Sequence, residues 1–377
     1  MIHIIFTSDY EIHGSGAGSP YKLMIEPTYR NLDLFDEYGA KLTIMAEIAE
    51  ILRFREYFDV HTKDDYYYHD IIKQLKYAVI NGHDVQLHIH PTYFKARLNN
   101  KGWEQNPTSY ILSEETYDSL FEMIKQTKDF LTQTLIDVKK DYNCIAFRAG
   151  GWQMQPTTNI VRALIDNGIK IDTSVFKNGK RGGINSFDYS LALHSLFPWP
   201  VNENEICQMN QKSRLIEIPI YTEQKYITSF LSLNRMYRLA AQVISRLRIK
   251  NPMNVEKENL NNSRKIQNNL KSSFLSSFKN KLNNASKISF NKYPFKMDYN
   301  QCTGKQLING LLNAEKKCSK TNVDIPFVII GHSKTFTRYN ELQLKSFLKF
   351  VKDNPDRFKF SLFSELDLST YYKIWNT

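Results

Sequence analysis

The stretch Gly82-His83-Asp84-Val85-Gln86-Leu87-His88-Ile89-His90-Pro91 decides how the rest of the chain is read. From Val85 to His90 apolar and polar residues alternate, the period of a half-buried β-strand in which residues two apart share a face. His88 and His90 then point the same way, about 7 Å apart along the strand, close enough to grip one metal ion between two imidazoles. Pro91 cannot extend a hydrogen-bonded ladder, so the strand stops just past the second histidine. The pair falls at a C-terminal strand end, where α/β folds collect their chemistry.

On the N-terminal side, Ile2 to Glu11 reads as a first strand, and Asp9 and Glu11 are again two apart at its end. The run Gly14-Ser15-Gly16-Ala17-Gly18-Ser19-Pro20 lacks the Gly-Lys-Ser/Thr ending of a phosphate loop, so a lip at the site is expected, with Pro20-Tyr21 a poor entry into a helix. Pro27 to Tyr38 has helical spacing closed by Gly39, Lys41 to Met45 reads as a strand, and Ile48 to Phe54 and Asp70 to Ile80 read as helices. Beyond the histidines, a helix is expected over Ser113 to Val138, then a strand Asn143 to Phe147 ending in Arg148-Ala149-Gly150-Gly151-Trp152. A helix Thr157 to Asn167 and strands Ile169 to Asp172, Arg214 to Ile220 and Pro326 to Ile330 follow, the last ending in Gly331-His332-Ser333-Lys334. Helix Leu342 to Lys352 and strand Phe358 to Leu362 complete the alternation, which is that of a parallel α/β sheet or barrel.

A chain of 377 residues with 42% hydrophobic and 13% aromatic content can bury a large core. Its net charge of +11 sits in one place: residues 231 to 300 hold 14 Lys/Arg against 3 Asp/Glu. Met236 to Ile249 reads as a basic amphipathic helix, and the Asn-, Ser- and Lys-rich residues after it cannot bury enough surface for a core. The chain therefore divides into a catalytic barrel, 1–230 and 301–377, around a basic insertion, 231–300. Few aromatics in the insertion provide no stacking platform for nucleic acid, whereas contact with an anionic membrane surface is expected. The four cysteines form no Cys-x-x-Cys pair and read as reduced thiols. Met1 to Phe6 runs straight into a strand and no apolar run is long enough to cross a bilayer, so the expected location is cytoplasmic, peripheral at the inner face of the membrane.

Acids (Asp9, Glu11), imidazoles (His88, His90, His332) and a guanidinium (Arg148) at successive strand ends are what a barrel needs for a metal-hydrolase site. In these motifs the sequence resembles the polysaccharide deacetylase superfamily, the carbohydrate esterases that share the chitooligosaccharide deacetylase homology domain. Asp9-Tyr10-Glu11 is similar to the motif that pairs a base with a metal-binding acid. Gly82 to Pro91 resembles the motif carrying two metal histidines, here two apart where many members space them four apart. Arg148-Ala149-Gly150-Gly151 stands where the family has Arg-x-Pro-Tyr, and Gly331-His332-Ser333 resembles its late histidine motif.

The resemblance implies an irregular (β/α)7-type barrel and hydrolysis of an N-acyl, N-acetyl above all, from an amino sugar in a glycan or lipid-linked glycan precursor. It implies Zn²⁺ or another divalent transition metal held by Glu11, His88 and His90, with Asp9 as base, Arg148 orienting it, the Gly151 N–H at the oxyanion and His332 as acid. Trp152 and Trp199 would offer faces to a sugar ring. The alternatives are a catalytically silent carbohydrate-binding relative, favoured by the altered third motif, and an amidohydrolase, whose His-x-His belongs on the first strand.

Overall fold

The first three strands, β1 (Ile2–Tyr10), β2 (Leu42–Glu47) and β3 (Asp84–Ile89), are buried at every residue. A strand with one face in water cannot do this, so the expectation of a half-buried β3 is corrected. Helices cover the outer face, and the alternating polar residues turn into a closed interior. Gln86 shows how such inward groups are satisfied: its side-chain oxygen accepts from the Ile145 and Ala146 N–H groups at 2.8 and 2.7 Å, and its amide donates to Asp84.

The computed structural model describes all residues except 13–17, 100–101, 105–110, 184–185, 231–232, 234, 237–239, 241–290, 320 and 376–377. The main sheet continues with β4 (Ala146–Ala149), β5 (Ile171–Asp172), β6 (Trp199–Asn202), β7 (Glu205–Met209), β8 (Ile216–Glu217), β9 (Ile325–His332) and β10 (Phe358–Phe360). Its order is β7-β6-β8-β5-β4-β3-β2-β1-β9, with β10 beside the first residues of β1. From β8 round to β9 every pairing is parallel. The ring closes where the chain beyond β8 reaches β9: Ile220 bridges Val328, and the Tyr221 N–H donates to the Val328 carbonyl at 3.2 Å. Met297 to Tyr299 fill the rest of that seam, the Tyr299 N–H reaching the Ile330 carbonyl at 2.9 Å. Seven parallel strands thus form a barrel, one of the two forms the alternation allows and the irregular one that the resemblance implies.

Outside it run α1 (Glu26–Tyr38), α2 (Ile48–His61), α3 (Tyr68–Ile80), α4 (Tyr117–Leu135), α5 (Thr158–Asp166), α6 (Gly304–Cys318) and α7 (Arg338–Lys352). A helical turn over Tyr21–Ile25 leads into α1 directly from Pro20, which a first turn accepts because the missing N–H has no intrahelical acceptor there. The expected poor entry at Pro20-Tyr21 is corrected. The Thr116 side chain caps α4 by accepting from the Ser119 N–H, so the helix starts later than Ser113.

Two differences touch the site. Arg214 to Ile220 narrows to the two-residue β8 plus the closing bridge at Ile220. Lys292–Lys296, grouped with the insertion on composition, pairs antiparallel with Thr222–Tyr226 and delivers the buried Met297 and Tyr299 to the barrel. The run Gly14 to Ala17 and most of Met236 to Ile249 lie outside the described residues.

Candidate active site

Parallel register sets the site's residues side by side. Asp9 of β1 lies opposite His332 of β9, while Glu47, His88 and Arg148 form a row across β2, β3 and β4. Two clusters result, sharing one mouth of the barrel.

The first comprises Glu11, Glu47, His88 and His90, all buried, each offering a ligand atom within 4.8 Å of the others. The Glu11 Oε2 is 3.8 Å from His88 Nε2 and 3.3 Å from His90 Nδ1. His88 Nδ1 lies 2.8 Å from the Arg148 carbonyl, which fixes it as the donor and leaves Nε2 for the cluster. His90 Nδ1 lies 2.6 Å from Glu47 Oε2, and Lys334 Nζ donates to Glu11 Oε1 at 2.6 Å. Burial alone would raise the Glu11 carboxyl, but Lys334, His90 and His88 hold it well below the usual range. Burial alone would lower His88, yet the negative charge of Asp9, Glu11 and Glu47 lifts it to about 9.

Whether these residues fit a metal ion is tested by Glu47: its Oε1 is buried and has no hydrogen-bond partner. Two imidazoles and two carboxylates, one of them with an unpartnered oxygen, are the donor set of a Zn²⁺ site. They fit.

The second cluster is Asp9, Arg148 and His332. Arg148 is fully buried, and its Nη1 donates to Asp9 Oδ1 at 2.6 Å while its Nε donates to the Thr173 carbonyl at 3.0 Å. Burial would raise Asp9, but Arg148, His332 and His88 outweigh it and leave the carboxyl below its ordinary value. His332 Nε2 lies 3.4 Å from Asp9 Oδ2, and its backbone N–H donates to Asn300 Oδ1 at 2.6 Å. Burial keeps the His332 ring below the ordinary histidine value, with Asp9 opposing.

Between the clusters lies Gly150-Gly151-Trp152. A Cβ on Gly150 would sit 2.6 Å from both the His90 ring and the Ile89 carbonyl, so only glycine fits. Gly151 has a left-handed φ of 62°. Trp152 stands at the mouth, its ring edge-on to His332 with centroids 6.2 Å apart, and the Lys296 ammonium lies 3.4 Å from its centroid. Trp199 is a correction. It is fully buried, its indole N–H donates to the Ile206 carbonyl at 2.9 Å, and it has no face open to a sugar.

The structure therefore brings together Asp9, Glu11, His88, His90, Arg148, Gly151, Trp152 and His332, and excludes Trp199. It adds Glu47, Lys334, Asn300 and Lys296. Lys334 repeats the two-residue spacing beyond His332, a signal the sequence offered; Glu47 had no polar partner two positions away to mark it.

No family model and no curated protein matches the chain. Among solved structures it is similar to a protein described as a polysaccharide deacetylase from Mycobacterium smegmatis, at 12% identity over 100% of this chain and 91% of that one, with a TM-score of 0.41. A Puue allantoinase matches at 11% identity over 100% and 90%, with a TM-score of 0.45. A carbohydrate esterase family 4 pseudoenzyme from Bacillus anthracis matches at 11% identity over 44% of this chain and 41% of its own, with a TM-score of 0.26, so the chain spans under half of that relative. At these identities and TM-scores the likenesses carry no weight of their own; the strand order and the side chains do.

Proposed function

We propose that the protein is a metal-dependent hydrolase that removes an N-acyl group, acetyl first among them, from an amino sugar in a glycan or lipid-linked glycan. The observation that carries this reading is the Asp9–Arg148 pair at 2.6 Å beside a buried Glu/Glu/His/His cluster at one barrel mouth.

Glu11, His88 and His90, with Glu47, would hold the ion, and a divalent metal there supplies polarisation of the acyl carbonyl and a water acidified toward ~7. The protein's own groups do the rest. Asp9 is ionised throughout the neutral range and takes the attacking water's proton, with Arg148 fixing its direction. The water oxygen bonds to the acyl carbon, and the Gly151 N–H stabilises the oxyanion that forms. The C–N bond then breaks, and His332 passes a proton to the departing amine. The 3.4 Å between Asp9 and His332 gives the proton a short path.

A silent carbohydrate-binding relative is the second reading, favoured by Gly150-Gly151 standing where the resemblance has Pro-Tyr. Acetate release from N-acetylated chitooligosaccharides and peptidoglycan fragments, before and after chelation, separates the two. Release that chelation stops and Zn²⁺ restores supports the hydrolase; a protein that binds these glycans and releases no acetate is the silent relative.

A further inference from the structure

Lys296 ends its strand with the ammonium 3.4 Å from the Trp152 ring centroid and 4.3 Å from that of Phe176. The Arg181 guanidinium lies 5.5 Å from the same Trp152 ring, and its Nη1 donates to the Gly151 carbonyl at 3.3 Å. Two cations therefore flank one tryptophan, next to the glycine assigned to the oxyanion. Among the described residues neither forms an ion pair. The acids within electrostatic reach, Asp298 and Asp9, form no ion pair with either cation. Asp9 holds Arg148, and the Asp298 carboxylate accepts from the Asn300 N–H at 2.8 Å and from the Gln301 amide. Burial pushes the Lys296 amine down to about 7, with Asp298 and Asp9 opposing and Arg181 and Arg148 adding to the fall. Like charges held together in a partly dry site are unfavourable unless a ligand supplies the counter-charge.

We propose that Lys296 and Arg181 form an anion subsite, so that the sugar bound for deacylation carries a phosphate or carboxylate within one sugar unit of the scissile amide. The inference rests on the deacylase reading for the word substrate, and on the two cations alone for the anion. Trp152 and Phe176 give the subsite its walls, and Arg181 offers the planar fork that suits either oxyanion. An anion bound there also returns Lys296 to its charged form.

The test is calorimetric titration of the full-length, zinc-loaded protein with three probes: N-acetylglucosamine 1-phosphate, N-acetylmuramic acid and the neutral methyl glycoside of N-acetylglucosamine. At least one acidic probe should bind tenfold or more tightly than the neutral one, and which does so distinguishes phosphate from carboxylate. That ratio should fall at least fivefold in Lys296→Met and in Arg181→Gln. It should also decline between pH 6.5 and 8.5, because the amine is charged below its value of about 7 and neutral above it. Arg181 is only partly buried, so Arg181→Gln carries the test if Lys296→Met does not fold. Equal affinity of the wild type for acidic and neutral probes, or an unchanged ratio in the folded variants, overturns the subsite. Acetate release from the same probes separates the two readings: preference without release sinks the deacylase and keeps the subsite, and release without preference does the reverse.

Discussion

A methyl group added at Gly150 would meet the His90 ring and the Ile89 backbone carbonyl, each at 2.6 Å, and the backbone cannot yield cheaply. Gly150→Ala should therefore cost about 1–3 kcal/mol in stability, as overpacking does, and weaken zinc binding through the displaced ring; thermal unfolding and metal titration check both. His88→Ala and His90→Ala each remove a proposed ligand and should leave the purified protein without zinc by elemental analysis. Glu47→Gln should weaken zinc by roughly 10–100-fold, the effect of losing a supporting carboxylate. A full loss would instead make Glu47 an essential ligand. At this scale the sequence was most legible where two functional residues stood two apart at a strand end, one on the strand and one just past it: Asp9 with Glu11, His88 with His90. Lys296 was illegible, because only the pairing of Lys292–Lys296 with Thr222–Tyr226, far apart in the chain, carries it to Trp152.

Most elements built from local periodicity were read nearly to their ends, although α2 runs on past Phe54 to His61, and those defined by distant pairing were not. Strands β1 and β3 and helices α1 and α3 follow their own apolar spacing. The β6–β7 hairpin and the two-residue β8 depend on what they pack against, and Trp199 shows the consequence. Placed by sequence beside a sugar, it lies in β6 with its N–H spent on the β7 backbone. Trp199→Ala should cost about 3–5 kcal/mol in denaturant unfolding and leave KM of the folded fraction unchanged. A raised KM with little loss of stability would return it to the binding site. One local signal was missed as well: Thr303 and Gln306 form a reciprocal capping box at the start of α6, an element the sequence reading omitted.

The whole molecule concentrates its excess charge in one segment of the chain. Residues 231–300 carry 14 Lys/Arg against 3 Asp/Glu, so the rest of the chain is close to neutral. No helix among the described residues is long and apolar enough to cross a membrane. We propose that the insertion instead contacts an anionic lipid surface, where each Lys/Arg near the headgroups contributes about 1 kcal/mol. Liposome sedimentation should show the full chain binding phosphatidylserine vesicles, more weakly as salt rises, and a chain lacking residues 241–290 binding less while still hydrolysing soluble substrate. Equal binding to neutral and anionic vesicles would remove the membrane from the account. The central claim, however, is that metal and base are separate halves of one hydrolytic site. It is tested most directly by acetate release from an N-acetylated amino sugar, wild type against Asp9→Asn, with the zinc content of each measured. The predicted result is full zinc occupancy in both and a rate lower by roughly 10²–10⁴ in the variant, the reach of a general base. An unchanged rate, or zinc lost from the variant, would contradict it.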